Sequence, residues 1–218
     1  MAIRLTVHVH SSGPIQYGVT WQMKPTNGII GKNAPPVGVT PAIILNNPKK
    51  AANVGAVIRA ASCFGANQVW YSGNRFRLDD GERIPREERL RGYKEVDLIQ
   101  FDYPFDHFPR GVTPVAIELV ENAEWLCDFE HPEKAVYVFG PEDGSIEQTW
   151  KRHCHRFVKI PSKHCTNLSA AVYIVLYDRM MKHYQKTGEL LELAEDRGLD
   201  ASLERFGDLG ERNNSAFI

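Results

Sequence analysis

Three short stretches place polar side chains where they could do chemistry. The first, NVGAVIRAASCFGA at residues 53–66, reads as a helix of small and apolar residues with one full charge at its middle, Arg59. Arg59 follows Gly55 by four residues and shares its face with Ala52, Ala56, Ser62 and Cys63, while Val54, Val57, Ile58 and Phe64 take the other side. A guanidinium on so low a surface can meet an anionic oxygen while something packs against it; an ordinary ion-pairing arginine is the plain alternative. Asn53 can cap the helix, with Asn47 before Pro48 as a second choice. Gly55 inside a helix implies close approach of another backbone.

The second stretch is GPEDG at 140–144, where Gly140 and Gly144 permit tight backbone beside a ligand and Glu142 lies between them. A simple turn with Asp143 or Ser145 capping the next helix would use the same residues. In the third, PSKHCTNLSA at 161–170, Thr166, Asn167 or Ser169 could each cap a following helix, or hydroxyls and backbone amides could hold a polar small molecule. Neither the Gly-x-Gly-x-x-Gly fingerprint nor a phosphate-binding P-loop is present, which argues against a nucleotide-dependent dehydrogenase or an NTPase.

The elements that must position these stretches alternate. AIIL (42–45), QVWYS (68–72), VDLIQF (96–101), TPVAIEL (113–119), AVYVF (135–139) and RFVKI (156–160) read as strands. Residues 53–64, SIEQTW (145–150) and NLSAAVYIVLYDRMMKHYQ (167–185) read as helices. Such alternation predicts an α/β domain with a mostly parallel sheet flanked by helices. Each of the three polar stretches follows a strand, and ligands of open parallel sheets bind beyond the strands' carboxyl ends, so one composite site is expected.

Composition sets limits. The chain has 218 residues, 43% hydrophobic and 24% charged, with a formal net charge of −1, so nucleic-acid binding would need a local basic patch. Residues 75–94 offer one, with Arg75, Arg77, Arg83, Arg86, Arg89, Arg91 and Lys94 among five acidic residues. No apolar run approaches the roughly 18 residues of a membrane span. The start, MAIRLTVHVH, lacks a signal-peptide core, and a cytoplasmic location is expected. The cysteines Cys63, Cys127, Cys154 and Cys165 form no Cys-x-x-Cys pair, and the runs HCH and HC have poor spacing for a tetrahedral site, so no metal is expected. Residues 1–40 read as an extension, 41–185 as the domain, and 186–218 as an acidic helix and tail.

Taken together, the three stretches resemble the three motifs of the TrmH/SpoU branch of the SPOUT RNA methyltransferases. NPKKAANVGAVIRAASCFGA supplies Asn53, Gly55, Arg59 and Gly65; VFGPEDG supplies Gly140, Glu142 and Gly144; IPSKHCTNLSAAVYIVLYDR supplies Ile160, Pro161, Asn167 and Ser169. The match covers about residues 41–183. The third loop is shorter than is usual in the family, and Cys165-Thr166 stand where Ser-Leu is common. The resemblance implies a SPOUT-type α/β fold with a deep trefoil knot near the C-terminus, a homodimer with the active site between subunits, and S-adenosylmethionine as cofactor. It implies methyl transfer to a ribose 2′-hydroxyl of tRNA or rRNA, with a non-catalytic RNA- or cofactor-binding module as the alternative. By the same resemblance Arg59, Asn53, Glu142 and Asn167 are catalytic, and Glu118, Gly140, Gly144, Ile160, Thr166 and Ser169 surround the cofactor. Arg75, Arg77, Arg86, Arg89, Arg91 and Lys94 would track RNA phosphates.

Overall fold

The computed structural model describes residues 41–76 and 96–190. The strands are β1 (Ala42–Leu45), β2 (Gln68–Tyr71), β3 (Asp97–Gln100), β4 (Thr113–Ile117), β5 (Glu124–Trp125), β6 (Ala135–Phe139) and β7 (Arg156–Lys159). The helices are α1 (Ala51–Cys63), α2 (Gln148–Lys151) and α3 (Leu168–Thr187), with short 3-10 turns at Pro104–His107 and Leu126–Asp128. The strands form one seven-stranded sheet in the order β3-β2-β1-β6-β4-β7-β5. Every strand pairing among the described residues is parallel, as the alternation predicts.

Alternation along the strands sorts the core into two layers. Ile43, Leu45, Val69, Tyr71, Val115, Tyr137 and Phe139 share one apolar cluster with Val54, Val57 and Ile58 of α1 and Val172, Val175 and Leu176 of α3. Ala42, Ile44, Trp70, Ala116, Val136 and Val138 belong to the other, with Ile146, Trp150 and Cys154. Phe101, Phe105, Phe108 and Phe157 pack against that second layer. No long helix covers this face among the described residues; the aromatic stretch from Phe101 to Phe108, with its 3-10 turn, does so together with α2.

β1 and β6 match their expected spans to the residue, β3 loses one residue at each end, and the other expected strands are trimmed by one or two residues at the carboxyl end. Two expectations are corrected. The α1 helix begins at Ala51, two residues early, and Asn53 lies inside its first turn rather than capping it. The expected helix at 145–150 shrinks to Gln148–Lys151, because its first amides are already committed: Ile146 N–H donates to Glu118 Oε2 at 2.8 Å and Glu147 N–H to Asn46 Oδ1 at 3.1 Å. β5, two residues long, is too short to leave a hydrophobic period. At the far end of α1, Gly65 takes φ 73°, and Ala66 N–H closes back onto the Ala61 carbonyl at 2.9 Å. That left-handed closure needs glycine. Arg77, Arg86, Arg89, Arg91 and Lys94, the extension 1–40 and the acidic helix expected after Gly188 lie outside the described residues, apart from the first residues of the tail.

Candidate functional site

The sheet order decides where the polar stretches meet. β1 and β6 are neighbours at its centre although the chain leaves β1 towards β2 and β3. The loops after β1 and β6 therefore diverge from adjacent carboxyl ends, the place where parallel sheets leave a crevice. β4 and β7 come next beyond β6 and bring their own trailing loops to the same edge.

Glu142 sits where these loops join. One of its carboxylate oxygens accepts from Lys49 N–H at 2.8 Å, and the other accepts from Lys50 N–H at 3.0 Å and from Asn53 Nδ2 at 2.7 Å. Lys50 is the N-cap position of α1 and makes no side-chain cap of its own. A distant carboxylate thus meets the backbone just ahead of α1, and negative charge there is favoured by the helix dipole. Burial alone raises the Glu142 carboxyl, but the hydrogen bonds from Asn53 and from the Lys49 and Lys50 amides outweigh it and hold the group below the usual carboxylate range. Glu142 is accordingly an anchored anion at neutral pH.

Asn53 carries the chain of contacts onward. Its Oδ1 accepts from Asn167 Nδ2 at 3.1 Å. Asn167 in turn is the N-cap of α3, its Oδ1 accepting from Ser169 N–H at 2.9 Å, from the Ser169 hydroxyl at 2.7 Å and from Ala170 N–H at 3.4 Å. Of the three capping candidates on that loop, Asn167 holds the position. The structure thus joins Glu142, Asn53, Asn167 and Ser169, one or two from each polar stretch, in one hydrogen-bonded line.

Beside this line lies a cleft of about 330 Å³. Among its lining residues are the expected cofactor neighbours Glu118, Gly140, Gly144, Ile160 and Thr166, together with Glu142 and Cys165. Ser169 is not among them; its hydroxyl is spent on Asn167. Glu118 braces the cleft, taking Ile146 N–H on one oxygen, Leu119 N–H on the other, and pairing with Lys151 at 3.4 Å. Gly140 is glycine for lack of room: a Cβ there would stand 3.0 Å from Ile146 N and 3.2 Å from the Ser145 carbonyl carbon.

Arg59 stands apart. It is half-buried on α1, and its Nε is enclosed without a hydrogen-bond partner among the described residues. It does not line the cleft of its own chain. Its neighbours on the small face, Ala52 and Cys63, are exposed, whereas Val54, Val57 and Ile58 are buried, as the spacing predicts.

Two further residues take roles that differ from the sequence reading: Asn46, not considered there, and Asp143, considered only as a cap for a helix whose N-cap position is Glu147 instead. Asn46, 1% exposed, receives Glu147 N–H on its oxygen and donates to the Ser72 hydroxyl at 3.3 Å, so it ties three strand-end loops together. Asp143 receives Arg75 Nη2 at 2.8 and 2.7 Å and Lys49 Nζ at 3.3 Å. In the sequence, the run Asn46-Asn47-Pro48 just after β1, a turn signal, is the only trace of the former. Among the described residues, no three His, Cys, Asp or Glu residues cluster as a metal site would require, and no helix is long and apolar enough to cross a membrane.

The sequence profile of the SpoU rRNA Methylase family matches residues 40–177, well over half of the chain. The chain belongs to the SpoU rRNA Methylase family. Solved structures agree with this fold. The TrmH/SpoU tRNA modifying enzyme of A. aeolicus superposes with a TM-score of 0.57 at 20% identity, over 71% of this chain and 81% of that one. AviRb, a SpoU methyltransferase from Streptomyces viridochromogenes solved with AdoMet, gives 0.54 at 16% identity over 66% of this chain, and the match spans 60% of AviRb. A protein studied for 2-OH methylation of C/U34 on tRNA gives 0.56 at 24% identity, over 68% of this chain and 97% of its own. No curated protein gives a significant match to the sequence. Within the SpoU rRNA Methylase domain, the hydrogen-bonded line and the cleft both sit at the carboxyl edge of the sheet.

Proposed function

We propose that this SpoU rRNA Methylase family member transfers a methyl group from S-adenosylmethionine to a ribose 2′-hydroxyl of structured RNA, a tRNA or an rRNA. The observation that carries the reading is the line Glu142–Asn53–Asn167 running beside the cleft. The cleft suits such a cofactor: Ile117, Leu119, Phe139 and Leu168 give it apolar walls for a base, and the carboxylates and the backbone at 140–144 and 160–166 offer polar partners for a ribose and an amino acid end. When bound, S-adenosylmethionine supplies an electrophilic methyl group on a sulfonium. Gly140, Gly144, Ile160 and Thr166 would hold it, with Glu118 keeping their loop in place.

Arg59 is the group we assign to the reacting oxygen. A guanidinium keeps its protons in proteins, so it is not assigned as the base. Its work is to bind the RNA phosphate and the 2′-oxygen and to stabilise alkoxide character as the proton leaves. Because Arg59 lies outside its own chain's cleft, the reading includes a homodimer in which Arg59 of a second copy completes the site. Its unpartnered Nε, the small face around it and the exposed Ile174 and Tyr177 on α3, the helix packed against α1, support that arrangement. Knotted threading near α3, a methyltransferase domain over 41–185 with flanking segments, and work on cytoplasmic RNA belong to the same reading.

The test joins binding to product. Calorimetry should detect S-adenosylmethionine, and mass spectrometry of RNA from cells with and without the gene should reveal a 2′-O-methyl site that depends on it. Arg59→Ala should abolish that site while leaving cofactor binding intact. Failure to bind S-adenosylmethionine would sink the reading, and unchanged methylation in Arg59→Ala would remove Arg59 from the centre.

A further inference from the structure

Asp143 is an unusual neighbour for a surface that should greet RNA. It lines the rim of the cleft, one residue from the anchored Glu142, and its carboxylate holds two cations from separate parts of the chain. Arg75 Nη2 reaches both oxygens, at 2.8 and 2.7 Å, and Lys49 Nζ reaches one at 3.3 Å. Neither Lys49 nor Arg75 lines the cleft itself. Both cations are partly open to solvent, with side chains 55% and 29% exposed. A pair of cations converging on one carboxylate is also the arrangement that binds a phosphodiester, since both anions present two oxygens to N–H donors.

Resting on the function proposed above, we infer that Lys49 and Arg75 form a phosphodiester subsite for the RNA strand, and that Asp143 occupies it in the free protein as a built-in competitor. Its placement favours RNA phosphate over the carboxylate of the cofactor. Arg75 opens the stretch 75–94 with its seven cations, and neither cation is part of the cleft lining. Binding then requires the phosphate to displace Asp143 from Arg75 and Lys49. The subsite discriminates against weakly held RNA, because a single contact must first outcompete a carboxylate already in place. Asp143 is a specificity-determining residue in this scheme and takes no part in the chemistry.

The experiment uses the full chain and unfractionated tRNA as the probe, with affinity read by fluorescence anisotropy from 50 to 300 mM KCl. Asp143→Asn should tighten binding several-fold and steepen the salt dependence, since freed cations neutralise additional phosphates. Arg75→Gln added to Asp143→Asn should cancel the gain. Glu147→Gln removes one charge from the same loop at a residue with no ion pair among the described residues, and it should give a smaller gain. Unchanged or weaker binding in Asp143→Asn overturns the inference, as does a gain that survives Arg75→Gln or is matched by Glu147→Gln. Parallel calorimetry with S-adenosylmethionine separates the two readings. A protein that binds the cofactor and shows no Asp143 effect on tRNA loses only this inference. One that binds neither cofactor nor tRNA loses both.

Discussion

Asn167 donates from Nδ2 to Asn53 Oδ1 at 3.1 Å, across 114 positions of sequence, while its own Oδ1 caps α3. One amide thus serves two elements with its two ends, and substitution can separate them. In Asn167→Asp the carboxylate still caps the helix, favourably placed at its N-terminus, but can no longer donate to Asn53. We expect the cap itself to be kept, and thermal stability to fall by about 1–3 kcal/mol through the unmet Asn53 Oδ1 alone. Methyl transfer should fall at least tenfold, read as kcat with S-adenosylmethionine affinity measured alongside. Asn167→Ala should lose both the cap and the activity, so the pair of variants divides helix stability from site geometry.

Gly140→Ala addresses the shape of the cleft. The added methyl would press on Ile146 N at 3.0 Å, and that amide is the one held by Glu118. Over-packing of this kind costs about 1–3 kcal/mol. The loop should yield before the buried sheet does, so cofactor affinity by calorimetry should weaken by roughly tenfold, the equivalent of about 1.4 kcal/mol, with a smaller loss of melting temperature.

Cys165 offers a chemical reporter of occupancy. It is exposed and lines the cleft, while Cys63 and Cys127 are exposed elsewhere. Alkylation followed by peptide mass spectrometry should show Cys165 protected by S-adenosylmethionine, with labelling of Cys127 unchanged; Cys63, on the face of Arg59, is not used as a control. Equal labelling of Cys165 with and without cofactor would place the binding site elsewhere.

How much of this was legible in the sequence depends on range. β1 and β6 were read to the residue because both are fully buried runs bounded by turn residues. The membership of Glu142, Asn53 and Asn167 in one site followed from three motifs in order. Their connections did not. Asn53 looked like a cap, and only the arrival of Glu142 ahead of α1 frees it to bridge. The helix expected at 145–150 had adequate local pattern, yet Glu118 and Asn46 claim its first amides from other loops. Local propensity is a weak prior when tertiary hydrogen bonds compete for the same groups.

A pH effect should come from the far side of the domain, where His131 lies between Tyr137 and Asp178. Burial lowers the His131 pKa; Asp178 opposes this by hydrogen bond and charge, and Arg179 and Lys182 lower it further. Tyr137, itself pushed up to about 12 by burial, stays protonated; it can donate to a neutral His131 Nδ1 while its oxygen accepts from Arg179 Nη1 at 3.2 Å. The folded protein therefore takes up fewer protons at this histidine than the unfolded chain. Its contribution to stability is present above the ordinary histidine value of about 6.5 and is lost as pH falls through the lower folded value. We expect the melting temperature to drop as pH is lowered through and below about 6.5, and His131→Gln to be less stable at pH 7.5 but flatter with pH, by scanning calorimetry.

The carboxylate of Glu142 has a consequence for how the chain is made. Lys49 and Lys50 emerge from the ribosome 93 and 92 residues before the side chain that satisfies their amides. At usual synthesis speeds that is a wait of roughly 5–20 s. Through that interval the entry to α1 has water for a partner, and the helix must rely on its apolar face alone. The first stretch of the domain to be synthesised is thus among the last to be finished. Asn167, later still, closes the line, so the same step that completes the fold also completes the site.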